Sequence, residues 1–479
     1  MCIWDRNKIP GGNTKITSVV IPDGVTEIQK YAFYNCPNLV SVTLPETCKT
    51  IREYAFYSNT KLETINTEKV TLIGERAFAS CTSLETIDLS NLYAVGVSAF
   101  LGASSLTSVD LSSLRNAGKE VFKDTTSLTN VIFNDNTKLS YGMFVNSGLT
   151  SIELGMNRIP DFAFANCANL TSVVIKNDLI SLGEGAFSGC TKLTSFVFEG
   201  EVEWIYDQAF YNCLLLQTLD LPNSKIKFGS YVFYKCESLD TIGFKEKTEI
   251  ESIGGNTFKD TKLSRFIVDS NNMLYTVKND GSLLTSKDGS TIILAAPKAS
   301  YGDLVIDSNI TAIAKGAFSG VDAITTVTFQ GTSIDIGDYA FANISGLTTV
   351  TLPTGSSTIG NYAFHSCSAL TTVNNLANAT AIGNYAFAIS GITEATIGSN
   401  VNVCEGAFFK SSIATVNINS NVELGMGVFQ RCASLRTVNM LGDNLIIGDA
   451  CFSNDTALRT FDMSKIGDSI GNEAFYGCL

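Results

Sequence analysis

The sequence predicts a mostly β solenoid in which about 19 short coils stack into an array, interrupted once by a β-hairpin island. Three observations carry this reading. A phenylalanine, usually preceded by alanine, recurs from Phe33 to Phe258 and again from Phe318 to Phe475, at spacings of 20–25 residues. A fixed period of that size means stacked supersecondary units, each burying its apolar face only against its neighbours. Each unit also ends in L-x-x-Φ-x-Φ, where Φ is apolar, as in Leu39/Val42/Leu44, Leu193/Phe196/Phe198 and Leu347/Val350/Leu352. Alternation over those last positions is the period of a short strand with one buried face. Finally, the spacing opens only once, to 60 residues between Phe258 and Phe318.

Taken in order, residues 1–15 precede the first strand and read as an N-terminal linker or truncated cap. The first repeat block spans 16–268 and opens on ITSVVIP (16–22), the strand half of a unit whose Ala-Phe half is absent. Within LGEGAFSGCTKLTSFVF (182–198), the apolar positions Leu182, Ala186, Phe187, Cys190, Leu193, Phe196 and Phe198 recur in kind from unit to unit. A second extended segment ends at an Ile-Gly pair such as Ile73-Gly74, Ile359-Gly360 or Ile382-Gly383. Glycine there fits a tight turn or a close backbone approach. The island, 269–306, contains Asp280-Gly281 and Asp288-Gly289 between short apolar runs, the signal for consecutive hairpins. It reads as a packing insert that continues the core, with a ligand-contacting lid as the alternative. The second block, 307–479, stops within a unit at AFYGCL. Because solenoids need polar terminal caps, the expectation is that the chain is truncated at this C-terminus and that neighbouring sequence, a leader included, lies outside it.

The unit L-x-x-V-x-L-P…I-G-x-x-A-F-x-x-C-x-x-L resembles the BspA-type (bacterial surface antigen) leucine-rich repeat family over nearly the whole chain. The resemblance implies a leucine-rich repeat solenoid of the α/β horseshoe class, mostly β with short turns and little regular helix. It further implies that the L-x-x-Φ-x-Φ strand lines a concave recognition face. The function it implies is binding at a cell surface or outside the cell, as in adhesion to a host or matrix protein or to a polysaccharide, with no cofactor.

A net charge of −13 argues against a nucleic-acid partner, which requires clustered Lys and Arg. No stretch approaches the roughly 18 consecutive apolar residues of a membrane span, and MCIWDRNKIPGG has no apolar run able to act as a signal peptide.

Of the 13 cysteines, Cys36, Cys81, Cys167, Cys190, Cys213, Cys236, Cys367, Cys432 and Cys478 each fall three residues after a repeat Phe. Other units carry Ala103, Thr125, Val321 or Ile344 in that slot, so the cysteine reads as a small buried free thiol. Equivalent side chains on stacked coils run parallel about 4.8 Å apart, too far for the mean Cβ separation of about 3.8 Å in a disulfide. No C-x-x-C occurs, and four thiols in one row cannot surround zinc, so no metal is expected. Structural roles therefore fall to Phe187, Cys190, Phe210, Cys213, Phe233 and Cys236. Nucleophilic catalysis lacks its usual base, since His365 is the single histidine.

On the strand, the residues just before and just after the buried Φ point outward. The first is Ser or Thr in most units, for example Ser41, Thr64, Thr86, Ser108 and Thr218, and stacks into a hydroxyl row. The second varies. Asp88, Asp110, Ile132, Glu153, Val174, Val197 and Asp220 depart from the bland pattern and are the candidate binding residues. Asp88 and Asp110 would lie about 5 Å apart, which leaves a carboxylate-dependent glycan hydrolase as a remote alternative. The leading expectation is a non-enzymatic module that binds a protein or polysaccharide. An intracellular interaction scaffold is the alternative, since unpaired cysteines suit a reducing compartment.

Overall fold

The computed structural model describes residues 12–478; residues 1–11 of the expected N-terminal segment, and Cys2 with them, lie outside the described residues. The chain divides into two compact units between Lys262 and Leu263. The strand Arg265–Val268, counted with the first block on sequence grounds, thus falls in the second unit.

In the first unit most coils supply a front strand, a side strand and a turn; the Phe144 coil lacks the side strand, and the Thr86 coil has only a bridge on its front. The front strands carry L-x-x-Φ-x-Φ and pair in parallel without slippage: Ser18 lies opposite Ser41 and Ser41 opposite Thr64, and likewise Ser151, Ser172 and Ser195. The side strands end at the Ile-Gly position and form two five-stranded sheets, one from Glu27–Ile28 to Asn116–Ala117 and one from Arg158–Ile159 to Glu249–Ser252. Gly74 lets its coil pack closely on the one before, because a Cβ on this backbone would lie 2.6 Å from the Glu53 backbone nitrogen. Where the side strand gives way to the turn, a carboxylate or amide of one coil accepts a backbone N–H of the next. Asp161 takes Glu184 at 2.9 Å and Asp207 takes Ser230 at 2.8 Å, so donors without a strand partner are satisfied.

The Ala-Phe segment is neither strand nor helix but a run of turns. It is bracketed by left-handed residues two positions before and two after the Phe, among them Gly185 (φ 55°) and Gly189 (φ 75°), or Tyr31 (φ 61°) and Asn35 (φ 52°). These turns still stack through their backbones: Phe187 N–H donates to Ala209 O and Phe210 N–H to Val232 O, each at 2.9 Å. Such bonds fix the coil spacing and hold the phenyl rings in a continuous parallel pile. From Phe33 to Phe258 successive ring centroids lie 5.1–6.1 Å apart with planes within 14°. The widest step, Phe187 to Phe210 at 6.1 Å, is where Phe196 stands edge-on to both rings at 5.2 and 4.8 Å. A larger side chain in the strand slot thus opens the pile locally.

In the second unit the island consists of two hairpins. Tyr275–Lys278 runs antiparallel to Leu283–Ser286, which runs antiparallel to Thr291–Ala295. Thr291–Ala295 then pairs in parallel with the first side strand after it, Ala312–Ile313, so the hairpins begin a side sheet of 11 strands that ends at Ile466–Ile470. Leu283, Ile292 and Ala295 share one buried core with Phe318 and Phe341, so the island continues the solenoid interior. Gly302–Ile306, within the segment read as island, is a front strand paired with Ile324–Phe329. The Phe pile resumes from Phe318 to Phe475 at 4.8–5.4 Å. Among the described residues there is no α-helix. Three single 3₁₀ turns, at Asn279–Gly281, Leu376–Asn378 and Met463–Lys465, are the helical content.

Candidate recognition surface

In the first unit the front strands separate into groups, and the sequence-selected residues are divided among them. Ile132 is the register partner of Asp110, and the bridge Thr86–Ser108 sets Asp88 beside Asp110 in the same row. Glu153, Val174 and Val197 are consecutive register partners in a second group, and Asp220 lies opposite Gly243 in a third. Ile132 is 50% exposed and Val197 42%. Val174 is half-buried between Glu153 and Val197. The hydroxyl row beside them is solvent-facing at Thr64, Thr86, Ser108, Ser151, Ser195 and Thr218, whereas Thr241 is buried.

Asp88 and Asp110 are engaged with their own turns and Glu153 with lysine. Asp88 Oδ1 accepts the Ser90 N–H at 2.9 Å and the Ser90 hydroxyl at 2.6 Å; Asp110 Oδ1 accepts the Ser112 N–H at 2.9 Å. Both are turns closed by the side chain, so the two carboxylates are held by the chain and not poised against each other. Glu153 lies 3.5 Å from Lys176 Nζ, which also reaches Glu199 at 3.3 Å. The Glu199 hydrogen bond holds the Lys176 pKa above its ordinary value. Asp220 covers Gly243, where any Cβ would collide with its carboxylate.

At the Asp88 end the face hollows into an open groove of about 760 Å³ lined by Thr43, Thr64, Asn66, Glu68, Asp88 and Ser108. It forms where a side chain replaces strand pairing: Asn66 Oδ1 accepts the Leu44 N–H at 2.7 Å and Asn66 Nδ2 donates to Leu44 O at 3.0 Å. The front face of the second unit is different and carries an amide row. Asn374 donates to Thr351 at 3.0 Å, Asn417 to Thr396 at 3.3 Å and Asn439 to Asn417 at 2.8 Å.

Sequence reasoning missed a tyrosine row on the turn segments. Tyr31 lies 5.2 Å from Tyr54, Tyr34 stacks on Tyr57 at 5.2 Å, and Tyr339, Tyr362 and Tyr385 form a pile at 4.8 and 5.3 Å. These rings occupy the left-handed position before the Phe or the position just after it, slots that Gly, Ser, Arg or Ala fill elsewhere. Only adjacency in neighbouring coils signals the row. His365 belongs to this surface. Its Nδ1 lies 2.9 Å from the Ser366 hydroxyl, its ring 5.6 Å from Tyr362, and partial burial lowers its pKa.

The repeat cysteines are free and mostly buried. From Cys81 onward each of these thiols also has a directed partner, the carbonyl of the preceding coil's Phe: Cys190 Sγ donates to Phe164 O at 3.2 Å, Cys213 to Phe187 O at 3.2 Å and Cys236 to Phe210 O at 2.9 Å. Burial pushes the pKa of Cys81 and Cys367 up to about 12 and that of Cys190 and Cys213 well above the ordinary thiol value. Thiolates are the nucleophiles and metal ligands, and burial disfavours that form at Cys81, Cys190, Cys213 and Cys367. Among the described residues no cluster of His, Cys, Asp and Glu could hold a metal ion, and no helix is long and apolar enough to cross a membrane.

With this geometry in place, comparison with known proteins is decisive for the family. The model of the BspA-type leucine-rich repeat region matches residues 12–116, 67–158, 157–278, 298–412 and 401–479. The chain belongs to the BspA-type leucine-rich repeat family. Among the described residues only the island core, 279–297, falls outside the matches, which agrees with its hairpins being an insertion into the repeat. No curated protein matches the chain. Among solved structures, a leucine-rich repeat protein from Eubacterium ventriosum is 22% identical over 69% of this chain and 82% of its own, with a TM-score of 0.48. A leucine-rich cell-surface protein from Faecalibacterium prausnitzii is 17% identical over 89% of this chain and 88% of its own, with a TM-score of 0.35. A pneumococcal vaccine antigen is 16% identical over 89% and 85%, with a TM-score of 0.32. In this chain Phe187, Phe210 and Phe233 with Cys190, Cys213 and Cys236 form a fully buried spine behind the front face.

Proposed function

We propose that this BspA-type chain is a non-enzymatic binding module, displayed at a cell surface or secreted, that grips a protein or polysaccharide through the front face between Asp88 and Asp220. One observation carries the reading. Ile132 and Val197 stand 50% and 42% exposed, with the half-buried Val174 between them, in a row whose other members from Thr43 to Asp220 are Thr, Asn, Asp and Glu. Apolar side chains held on a rigid sheet and ringed by polar groups are the composition of an interface centre with its rim. Asp110, Glu153 and Asp220 supply the rim, and a net charge of −13 favours a neutral or basic partner. Binding is favoured over glycan hydrolysis because Asp88 and Asp110 are each tied to their own turn serine and the face is open, so no acid is desolvated. Adhesive display rests on family membership.

The test is an array of matrix proteins and glycans probed with the purified chain, followed by charge reversal of Asp110 and Glu153 against any ligand found. Weakened binding with unchanged thermal stability supports the reading. Unchanged binding places the interface elsewhere.

A further inference from the structure

After the island the front row resumes on an open strand edge. Gly302–Ile306 is the terminal strand of a four-stranded sheet and pairs on one side only, with Ile324–Phe329. In a parallel ladder, alternate residues turn both backbone groups to the same neighbour. Gly302 N–H donates to Ala323 O and Ile306 O accepts from Gln330 N–H, each at 3.0 Å. Gly302, Leu304 and Ile306 therefore face that neighbour, and Asp303 and Val305 present N–H and C=O to the other side. Those four groups have no partner among the described residues.

The island creates this edge. Its hairpins extend the side sheet without a break from Tyr275–Lys278 onward but supply no front strand between Arg265–Val268 and Gly302–Ile306. An open groove of about 550 Å³ lies along the edge, lined among others by Arg265, Asp280, Ser282, Tyr301, Asp303 and Val305, a volume within the range of ligand sites. Its inner wall is fixed, since the Tyr301 hydroxyl donates to Ser282 O at 2.9 Å and its ring packs edge-on against Phe318 at 6.2 Å. Edge strands are ordinarily blunted by Lys, Pro, a bulge or a covering segment. The strand GDLVI has neither Lys nor Pro. Its one irregularity, between Gly302 and Asp303, belongs to the paired side. The Asp303 carboxylate accepts the Thr325 and Thr326 hydroxyls at 3.2 and 2.8 Å, also toward the paired side. Val305 is 47% exposed.

We propose that this edge is a strand-addition site: an extended, lysine-bearing peptide segment of a partner protein lies in the groove and pairs with the backbone of Asp303 and Val305. Main-chain hydrogen bonds supply the affinity in this mode and alternate side chains the specificity. Asp280 and Asp303 against the single Arg265, in a chain of net charge −13, select a basic peptide. The site is independent of the face in the first unit and stands or falls separately from it.

The probe is a synthetic peptide carrying the Ile324–Phe329 sequence between two lysines, because that strand already pairs with the opposite edge of Gly302–Ile306. Its binding is read by fluorescence polarisation, and amide exchange is followed on the whole chain with and without it. In the free chain, the Asp303 and Val305 amides exchange much faster than that of Leu304, and saturating peptide protects both. Val305→Pro removes an N–H that makes no ladder bond, so it weakens binding by about tenfold or more with the melting temperature nearly unchanged. A peptide N-methylated at alternate amides makes the same test without altering the fold, and it binds no better than background. Slow exchange at Asp303 and Val305 in the free chain overturns the proposal. So does the absence of saturable binding up to about 1 mM, or equal binding by Val305→Pro. A concentration-dependent dimer that Val305→Pro abolishes assigns the edge to a second copy of the chain and overturns the partner-peptide proposal as well.

Discussion

The thiol of Cys213 donates a hydrogen bond to the carbonyl oxygen of Phe187, one coil back, at 3.2 Å. The same carbonyl accepts the N–H of Cys190 within its own coil at 3.2 Å, so both of its lone pairs are used. The contact links two features that the repeat places separately, the phenyl pile and the cysteine slot, and it explains why cysteine recurs where alanine or valine would also fit.

An S–H donor is weak, and Val321 occupies the same slot, so Cys213→Val should cost less than about 1.5 kcal/mol. Chemical denaturation of the variant reads this directly. A thiol reagent should label Cys190 and Cys213 only after unfolding, because burial holds both as neutral thiols. Rapid labelling of the folded chain would contradict their placement.

Phe187→Ala should cost about 3–5 kcal/mol. The ring is fully buried and touches Phe164, Phe210 and Phe196 at centroid distances of 5.2, 6.1 and 5.2 Å. The loss should appear as a lower denaturation midpoint. A change under about 1 kcal/mol would mean that the pile is not what holds the coils together.

Asp455 fills the cysteine slot of its unit with a fully buried carboxyl. Its Oδ1 accepts the Cys432 N–H at 2.7 Å, and its Oδ2 has no partner. Burial raises its pKa from 3.8 to about 8. The folded state thus prefers the protonated acid, so the penalty is absent below the unfolded pKa and grows as pH rises from about 4 to 8. Asn59 shows the neutral counterpart, with Oδ1 accepting the Cys36 N–H at 2.7 Å. Asp455→Asn should therefore stabilise the chain at pH 8 by on the order of 2–3 kcal/mol and by almost nothing at pH 4. Melting curves at the two pH values check it, and a gain that does not depend on pH would contradict the assignment.

Gly383→Ala should destabilise by about 1–3 kcal/mol, because its Cβ would lie 2.6 Å from the Asn361 backbone nitrogen. Gly255, where an added Cβ meets nothing within 4 Å, is the control and should accept alanine without loss.

The period, the front strands and the two hairpins were legible because each rests on apolar spacing or on an Asp-Gly turn, which are local signals. The glycine of the Ile-Gly pair was legible for the same reason, although Arg52, Tyr206, Ala314 and Cys404 make the equivalent backbone bond to the preceding coil where other units lack it. The left-handed pair around each Phe was hidden, although GAFSG carries it openly at Gly185 and Gly189, because Tyr31, Arg76 and Glu120 adopt the same conformation without glycine. Asp88 and Asp110 were correctly placed in one row. Their engagement with Ser90 and Ser112 depends on side-chain rotamers that spacing does not encode. The open edge at Gly302–Ile306 was hidden because the strand was read as island, and nothing in GDLVI shows which side is paired.

The central claim is that the first unit recognises its partner through the apolar centre of its front face. The most direct measurement is the affinity of an array-identified ligand for the double variant Ile132→Ser, Val197→Ser, compared with Asn417→Ser, Asn439→Ser on the second unit's front face. The account predicts a loss of about tenfold or more for the first pair and less than about twofold for the second. Equal losses, or none for the first pair, would contradict it.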